Sequence, residues 1–379
     1  MKPTQRDGDQ QRRLNRLVAI QVEHSLDALV IYSSMLRREN LRYFTDFNPI
    51  EPGALAYFPL DGEPCLIVPL PTEKARAASV SSIHRIFSYD GDVRNIPQLM
   101  RKCFLPMRLG IAGWEYLPFD VAEAITESFP GIELVDVTQL VDVVRIVKTE
   151  QEISKIKRAA NIADAAFADL INHLKPGIRE YEIVARVEYN IRKFHGEDNF
   201  QILATSSGDA RAMHPPTERT LRDGDLLVTE ISPQFEGYFA QICRSISIGI
   251  ASPERRMAYD ILLNAQQEAI DRVHPGMTAS DVARIQNDVF RREGFGEYVS
   301  EKYTRGRGHG IGLYIDEEPL IAEGNNFRLM PGMVIMIHPN TYLPLAGYMV
   351  VGDPVLITET GGERLSHSRR DLISIKSSP

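Results

Sequence analysis

The sequence predicts an α/β domain followed by an α+β domain, on three observations. Short apolar runs alternate with helical segments as far as Arg145. Just beyond, Thr149 followed by Glu152 is a capping-box signature at the head of a long amphipathic segment. Past residue 220 the apolar runs come in hairpin-like groups instead of singly between helices.

In order, the pattern predicts a helix over Gln11 to His24 and a buried strand at Ala28 to Tyr32. Strands follow at Gly53 to Phe58, Pro64 to Pro69 and Arg108 to Ala112, then a helix from Phe119 to Glu127 and a strand at Ile132 to Val137. The first domain is placed at residues 1–147 and the second at 148–379. The capped helix runs to about Leu174, where Pro176-Gly177 stops it, and Glu180 to Phe194 is helical again. Strands are expected at Leu226 to Ile231, Gly237 to Ile242 and Ser245 to Ile250. Helices from Pro253 to Val273 and Ala279 to Glu293 flank Pro275-Gly276, and strands return at Met333 to Ile337 and Pro354 to Thr358. The repeated helix, Pro-Gly, helix segment hints at a duplicated half-domain. No short-period array is present.

Composition limits the partners. A chain of 379 residues with a net charge of −8 is long enough for two or three domains and carries no excess of basic residues for a nucleic acid. The three cysteines, Cys65, Cys103 and Cys243, have no paired spacing, so no disulfide framework or thiolate zinc site is expected. The polar N-terminus and short apolar runs predict neither a signal peptide nor a membrane span. A cytoplasmic protein acting on a small molecule is the expectation.

Polar residues suited to chemistry gather in four segments: Ala212-Met-His214-Pro, Thr229-Glu230-Ile-Ser, Arg307-Gly-His309-Gly-Ile-Gly and Met336-Ile-His338-Pro. A histidine beside a proline is usually a solvated loop residue, and Glu230 alone reads as the outward face of a strand. His338 closes a buried strand, which delivers it to a sheet edge. His309 lies between glycines, where a backbone can approach a ligand closely. The glycines match neither phosphate-binding spacing.

Together with Ile146-Val-Lys-Thr-Glu-Gln-Glu-Ile, Ser207-Gly-Asp-Ala-Arg-Ala-Met-His214, Gly224 to Glu230, Gly237 to Arg244 and Pro331-Gly-Met-Val334, these segments resemble the creatinase, prolidase and methionine-aminopeptidase superfamily. Asn40 to Phe47 resembles the strand-and-turn of its N-terminal domain. The resemblance implies a pita-bread C-terminal domain of pseudo-twofold halves, and a homodimer. It also implies a cage of two Asp, one His and two Glu around two divalent ions, and those positions fall on Glu230, Gln241, His309, His338 and Gly352. Both bridging carboxylates are gone, and two cations at ~3.5–4 Å would face each other with little compensating charge. The peptidases' second histidine falls on Asp316.

From this the sequence predicts a metal-independent, creatinase-like hydrolase of a small molecule's C–N bond, with no cofactor. His214, matched to the creatinase catalytic histidine, is the expected general base and acid, with Glu230 orienting water. Gln241, His309, His338, Asp316 and Arg307 are expected on the substrate, and Arg305 and Arg211 are further candidates for a carboxylate. Elimination would need the same residue types. One alternative is a mononuclear-metal or residual Xaa-Pro-type metallopeptidase, with Glu230, His309 and His338 on one divalent ion. The other is a pita-bread protein that only binds.

Overall fold

Buried apolar strands flanked by amphipathic helices organise both parts of the chain. The computed structural model describes residues 3–207 and 211–375, and the chain divides into two units, Met1–Arg145 and Ile146–Pro379.

The first unit holds a six-stranded mixed sheet. Its strands are β1 (Ala28–Tyr32), β2 (Leu55–Pro59), β3 (Cys65–Val68), β4 (Arg85–Ser88), β5 (Arg108–Ala112) and β6 (Glu133–Asp136), in the spatial order β4-β3-β2-β1-β5-β6. The apolar run of β1 is buried along its whole length because it lies in the middle, antiparallel to β2 and parallel to β5. Each such Leu, Val or Ile side chain contributes about 1.5–3 kcal/mol of burial. Helices α1 (Pro3–Glu23), α2 (Glu39–Thr45), α3 (Pro71–Val80), α4 (Ile96–Arg101), α5 (Phe119–Ser128) and α6 (Thr138–Val143) complete the unit.

One reading changes here. Asn40 to Phe47, expected as strand and turn, is largely the helix α2. Tertiary partners decide this: Asn40 Nδ2 donates to Asp142 at 2.8 Å, and Asn40 Oδ1 accepts from Arg145 Nε at 2.7 Å. The cysteines also pair in space despite their spacing, with Cys65 and Cys103 Sγ atoms 2.9 Å apart and both thiols free.

The second unit repeats one design twice. Helix α7 (Glu150–His173) opens on the predicted capping box: Thr149 N donates to Glu152 Oε2 at 2.7 Å and Glu152 N to Thr149 Oγ1 at 3.3 Å. Its Ile156, Ala159, Ala160, Ala163, Phe167 and Leu170, at i, i+3, i+4 spacing, are buried. With α8 (Glu180–Lys193) it covers a sheet of β7 (Asp198–Ser206), β8 (Leu226–Phe235), β9 (Tyr238–Phe239), β10 (Ile242–Ile248) and a parallel edge strand near the C-terminus. Helices α9 (Pro253–Arg272) and α10 (Ala279–Arg292) cover the other half, a sheet of β11 (Val334–Ile337), β14 (Asp353–Ile357) and β15 (Gly362–Arg364). Between β11 and β14 lies the hairpin of β12 (Asn340–Leu343) and β13 (Gly347–Val350), and β16 (Ile373–Ile375) is the parallel edge strand on β10. This is the pita-bread arrangement. Gly177 and Gly276, at φ +93° and +89°, stop equivalent helices. Cys243 and Gly352 form an antiparallel bridge that joins the two halves.

Strand β7 runs antiparallel to β8 over nine residue pairs and was not foreseen. The expected strand Gly237 to Ile242 shrinks to Tyr238–Phe239, because residues beyond it turn toward the site.

Candidate active site

The site is a cavity of about 540 Å³ in the second unit. Glu230 comes from β8, where its register partner on β10 is Cys243. Gln241 immediately precedes β10, and its Nε2 donates to Glu230 Oε2 at 3.2 Å. The Gln241 Oε1 is buried and has no hydrogen-bond partner among the described residues. Burial pushes the Glu230 carboxyl up to about 7; a hydrogen bond with Cys243 works against this and the charge of Asp316 adds to it.

His309 is delivered by the glycine-flanked loop, which lies against β11: Met336 N donates to His309 O at 2.7 Å. Close approach is the reason for Gly308, at φ +149°, since a Cβ there would fall 1.9 Å from Met336 O. The loop is held from behind by the buried ion pair Lys148 Nζ to Glu317 Oε2 at 2.9 Å.

His309 Nδ1 lies 2.8 Å from Gly310 O, so it carries the proton and leaves the Nε2 lone pair free to accept. His338, just past β11, packs edge-on against it with ring centroids 5.0 Å apart. Asn340 Nδ2 lies 3.0 Å from His338 O and 3.2 Å from Gly306 O, two acceptors that orient its amide. Its third neighbour, His338 Nδ1 at 3.1 Å, is therefore an acceptor, and the His338 proton sits on Nε2. Burial holds both imidazoles below their ordinary pKa, His338 further because His309 is beside it.

Glu230, Gln241, His309, His338 and Asp316 all line the cavity, with Arg211 and Arg305. Asp316 is ion-paired with Arg305, and its Oδ1 lies 3.7 Å from His309 Nδ1. Two expected residues lie elsewhere. The His214 ring turns away onto Pro215 O at 2.7 Å because its backbone is bridged to Leu203 on β7; its neighbours Ala212 and Met213 line the cavity and it does not. Arg307 lies behind the wall, its guanidinium over the Phe290 ring at 4.5 Å, and burial lowers its pKa to about 9. Sequence reasoning missed Asn340, Tyr314 and Tyr348, which reach the cavity from turns and a hairpin without apolar periodicity; burial first, and then the charge of Glu230, push the Tyr348 phenol up. Gly208 to Ala210 lie outside the described residues.

A folded α/β unit followed by a pita-bread unit with a buried carboxylate and imidazole cavity defines the hydrolytic class of that fold. The sequence profile of metallopeptidase family M24 matches residues 154–359, and that of the creatinase/prolidase N-terminal domain matches residues 13–147. The chain belongs to metallopeptidase family M24, and it is a hydrolase. It is similar to the Xaa-Pro dipeptidase of Pyrococcus furiosus, 31% identical over 366 residues that cover 95% of this chain and 99% of the relative. The corresponding protein of Pyrococcus horikoshii is 28% identical, over 95% and 98%. Among solved structures, the prolidase of Pyrococcus horikoshii superposes with a TM-score of 0.86 at 27% identity, covering 96% of this chain and all of that one. The prolidase of Pyrococcus furiosus gives 0.82 at 30%, covering 93% of this chain and all of its own.

These findings overturn two expectations. A metal-independent, creatinase-like hydrolase acting without a cofactor is not what a member of a metallopeptidase family with Xaa-Pro dipeptidases for relatives should be. The similarity to these relatives runs end to end even though the implied cage positions have changed.

The residues present do not fit a two-ion cage. Gly352 leaves no room for a bridging carboxylate, since a Cβ there would meet His338 Cβ at 2.4 Å and Cys243 Sγ at 2.9 Å. Among the described residues, no three His, Cys, Asp or Glu side chains form a group able to hold an ion. One cation suits the donor chemistry better: a buried carboxylate, an accepting imidazole nitrogen on His309, and the orphaned amide oxygen of Gln241.

Proposed function

We propose that this chain hydrolyses the peptide bond of Xaa-Pro-type dipeptides with a single divalent ion in place of the family's pair. The observation that carries the reading is the end-to-end similarity to Xaa-Pro dipeptidases, set beside a cavity that keeps polar groups at four of the five cage positions. Glu230, His309 and the Gln241 Oε1 would hold the ion. His338, the third ligand in the single-ion expectation, is turned into a hydrogen-bond donor by Asn340. When bound, the ion supplies Lewis-acid polarisation of the scissile carbonyl and a more acidic water.

The chain's own groups do the rest. The His338 Nε2–H donates to the carbonyl oxygen as negative charge develops on it, from a ring already fixed by Asn340. Water adds its oxygen to the carbonyl carbon and gives up a proton, the C–N bond breaks, and that proton passes to the leaving nitrogen, so that a carboxyl group and a free amine result. Arg211, which lies over the Tyr342 ring at 5.0 Å and pairs with no carboxylate among the described residues, receives the substrate carboxylate, while Arg305 stays with Asp316. Phe200, Ile202 and Leu320 give the cavity an apolar side for a pyrrolidine ring.

The test is turnover of a panel of Xaa-Pro and Xaa-Ala dipeptides by the purified chain, before and after chelation and with manganese, cobalt or zinc restored. Metal-restored cleavage of the proline dipeptides supports the reading; no cleavage with any metal defeats it. A homodimer and a cytoplasmic setting belong to the same proposal, and light scattering tests the former. No helix among the described residues is long and apolar enough to cross a membrane.

A further inference from the structure

In the first unit the thiols of Cys65 and Cys103 meet, with their Sγ atoms 2.9 Å apart and both free. Cys65 opens β3 and is fully buried, between Tyr57 of β2 and Arg85 of β4 in the sheet register. Cys103 lies in the turn just past α4, where its N–H and that of Phe104 both donate to Met100 O, and it is partly exposed. The turn is pinned to the sheet on either side of Cys103. Tyr57 Oη donates to Phe104 O at 3.2 Å, and Arg85 Nη2 donates to Lys102 O.

A cysteine that only fills a core packs as a small apolar side chain and asks nothing of a second thiol. Here the backbone holds two sulfurs together, and their surroundings differ. Cys103 has solvent on one side and a guanidinium held at the residue before it, whereas Cys65 is sealed inside the sheet. The hydrogen bond from Cys65 first, and then the charge of Arg85, hold the Cys103 thiol below its ordinary range against the effect of burial. The same bond and burial push the Cys65 thiol up. Thiolate character and access are what make a cysteine react with an oxidant, and a second thiol beside it is what resolves the product.

We propose that Cys65 and Cys103 form an oxidation site for hydrogen peroxide, with Cys103 attacking the oxidant and Cys65 closing a disulfide. The Cys103 sulfur bonds to one peroxide oxygen, the O–O bond breaks, and the other oxygen leaves as water with the thiol proton. The Cys65 sulfur then attacks the sulfenic acid, and its proton leaves with the hydroxyl as a second water. One peroxide is reduced to two waters while two thiols are oxidised to one disulfide. From 2.9 Å, a bond of about 2.05 Å needs only a small side-chain movement. It closes a loop between positions 38 apart that contains α3, β4 and α4, and so stabilises the first unit against unfolding. The site does not depend on the dipeptidase reading.

The experiment reduces the full chain, removes the reductant and adds hydrogen peroxide in small molar excess, reading intact mass, non-reduced peptide maps and melting temperature. The wild type should lose the mass of two hydrogens, the map should link Cys65 to Cys103, and a phosphine reductant should reverse both changes. The oxidised protein should melt about 5 °C or more above the reduced one. Cys65→Ser, which keeps the attacking thiol, should stop at a sulfenic acid that a dimedone probe captures. Because that position is buried, Arg85→Gln on the sheet edge serves as a second variant, and disulfide formation should slow about threefold or more. A link to Cys243 or between two chains would overturn the proposal. So would oxidation of Cys103 to sulfinic acid without a link in the folded wild type, an unchanged rate in folded Arg85→Gln, or a disulfide that leaves the melting temperature where it was.

Discussion

His309 and His338 pack edge to face at 5.0 Å, yet their neighbours give them opposite roles: Gly310 O takes the proton side of His309, and Asn340 takes the lone-pair side of His338. One ring therefore offers the cavity an acceptor and the other a donor. Asn340→Asp, nearly the same shape, replaces the donating amide by an acceptor and draws the His338 proton to Nδ1. Turnover should fall by about 10²–10³-fold with KM little changed. Imidazole ¹⁵N shifts report the tautomer, and an unchanged tautomer with full turnover would refute the donor role.

Gly352 stands where the family resemblance puts a bridging carboxylate, and its surroundings leave no room for a side chain. Gly352→Ala puts a Cβ 2.4 Å from His338 Cβ, which predicts a loss of about 1–3 kcal/mol in urea unfolding. Gly352→Glu should accordingly not gain a second ion by elemental analysis.

Arg211 is assigned to the substrate carboxylate. Arg211→Ala should raise KM for dipeptides about tenfold or more and change kcat much less, as expected for a group that binds ground and transition states alike. Dipeptide amides, which lack the carboxylate, should lose this difference between the two proteins.

Acid should expose a contact of α7 with α8. Asp169 accepts from Arg186 Nη2 at 2.8 Å and Asn190 Nδ2 at 2.7 Å, and Arg186 first, then Asn190, holds its carboxyl below the usual range. A depressed folded-state pKa contributes stability above the unfolded value of about 4, and that contribution is lost as pH falls through the folded value. Asp169→Asn should cost about 1 kcal/mol or less at pH 7, because the pair is partly solvated. The gap to wild type should close below about pH 4, as urea melts at both pH values would show.

The two-part fold was legible because its signals are local: the Thr149 to Glu152 capping box, the Pro-Gly stops and the buried run of β1 are all confirmed in place. Helix α2 was not, since its hydrogen bonds come from residues about a hundred positions away. Glu230, Gln241, His309 and His338 were found through the order of their motifs and do share one cavity. The direction of His214, the burial of Arg307 and the meeting of Cys65 with Cys103 depend on side-chain packing, which spacing does not encode. Metal dependence was misjudged because a count of lost carboxylates says nothing of the amide oxygen and imidazole that remain.

The account rests on one ion per chain. Elemental analysis of freshly purified protein, with dipeptide turnover followed as that metal is stripped and returned, tests this directly. The account predicts close to one equivalent of divalent metal, with activity rising and falling with it. Two equivalents per chain, or full turnover in protein that holds none, would contradict it.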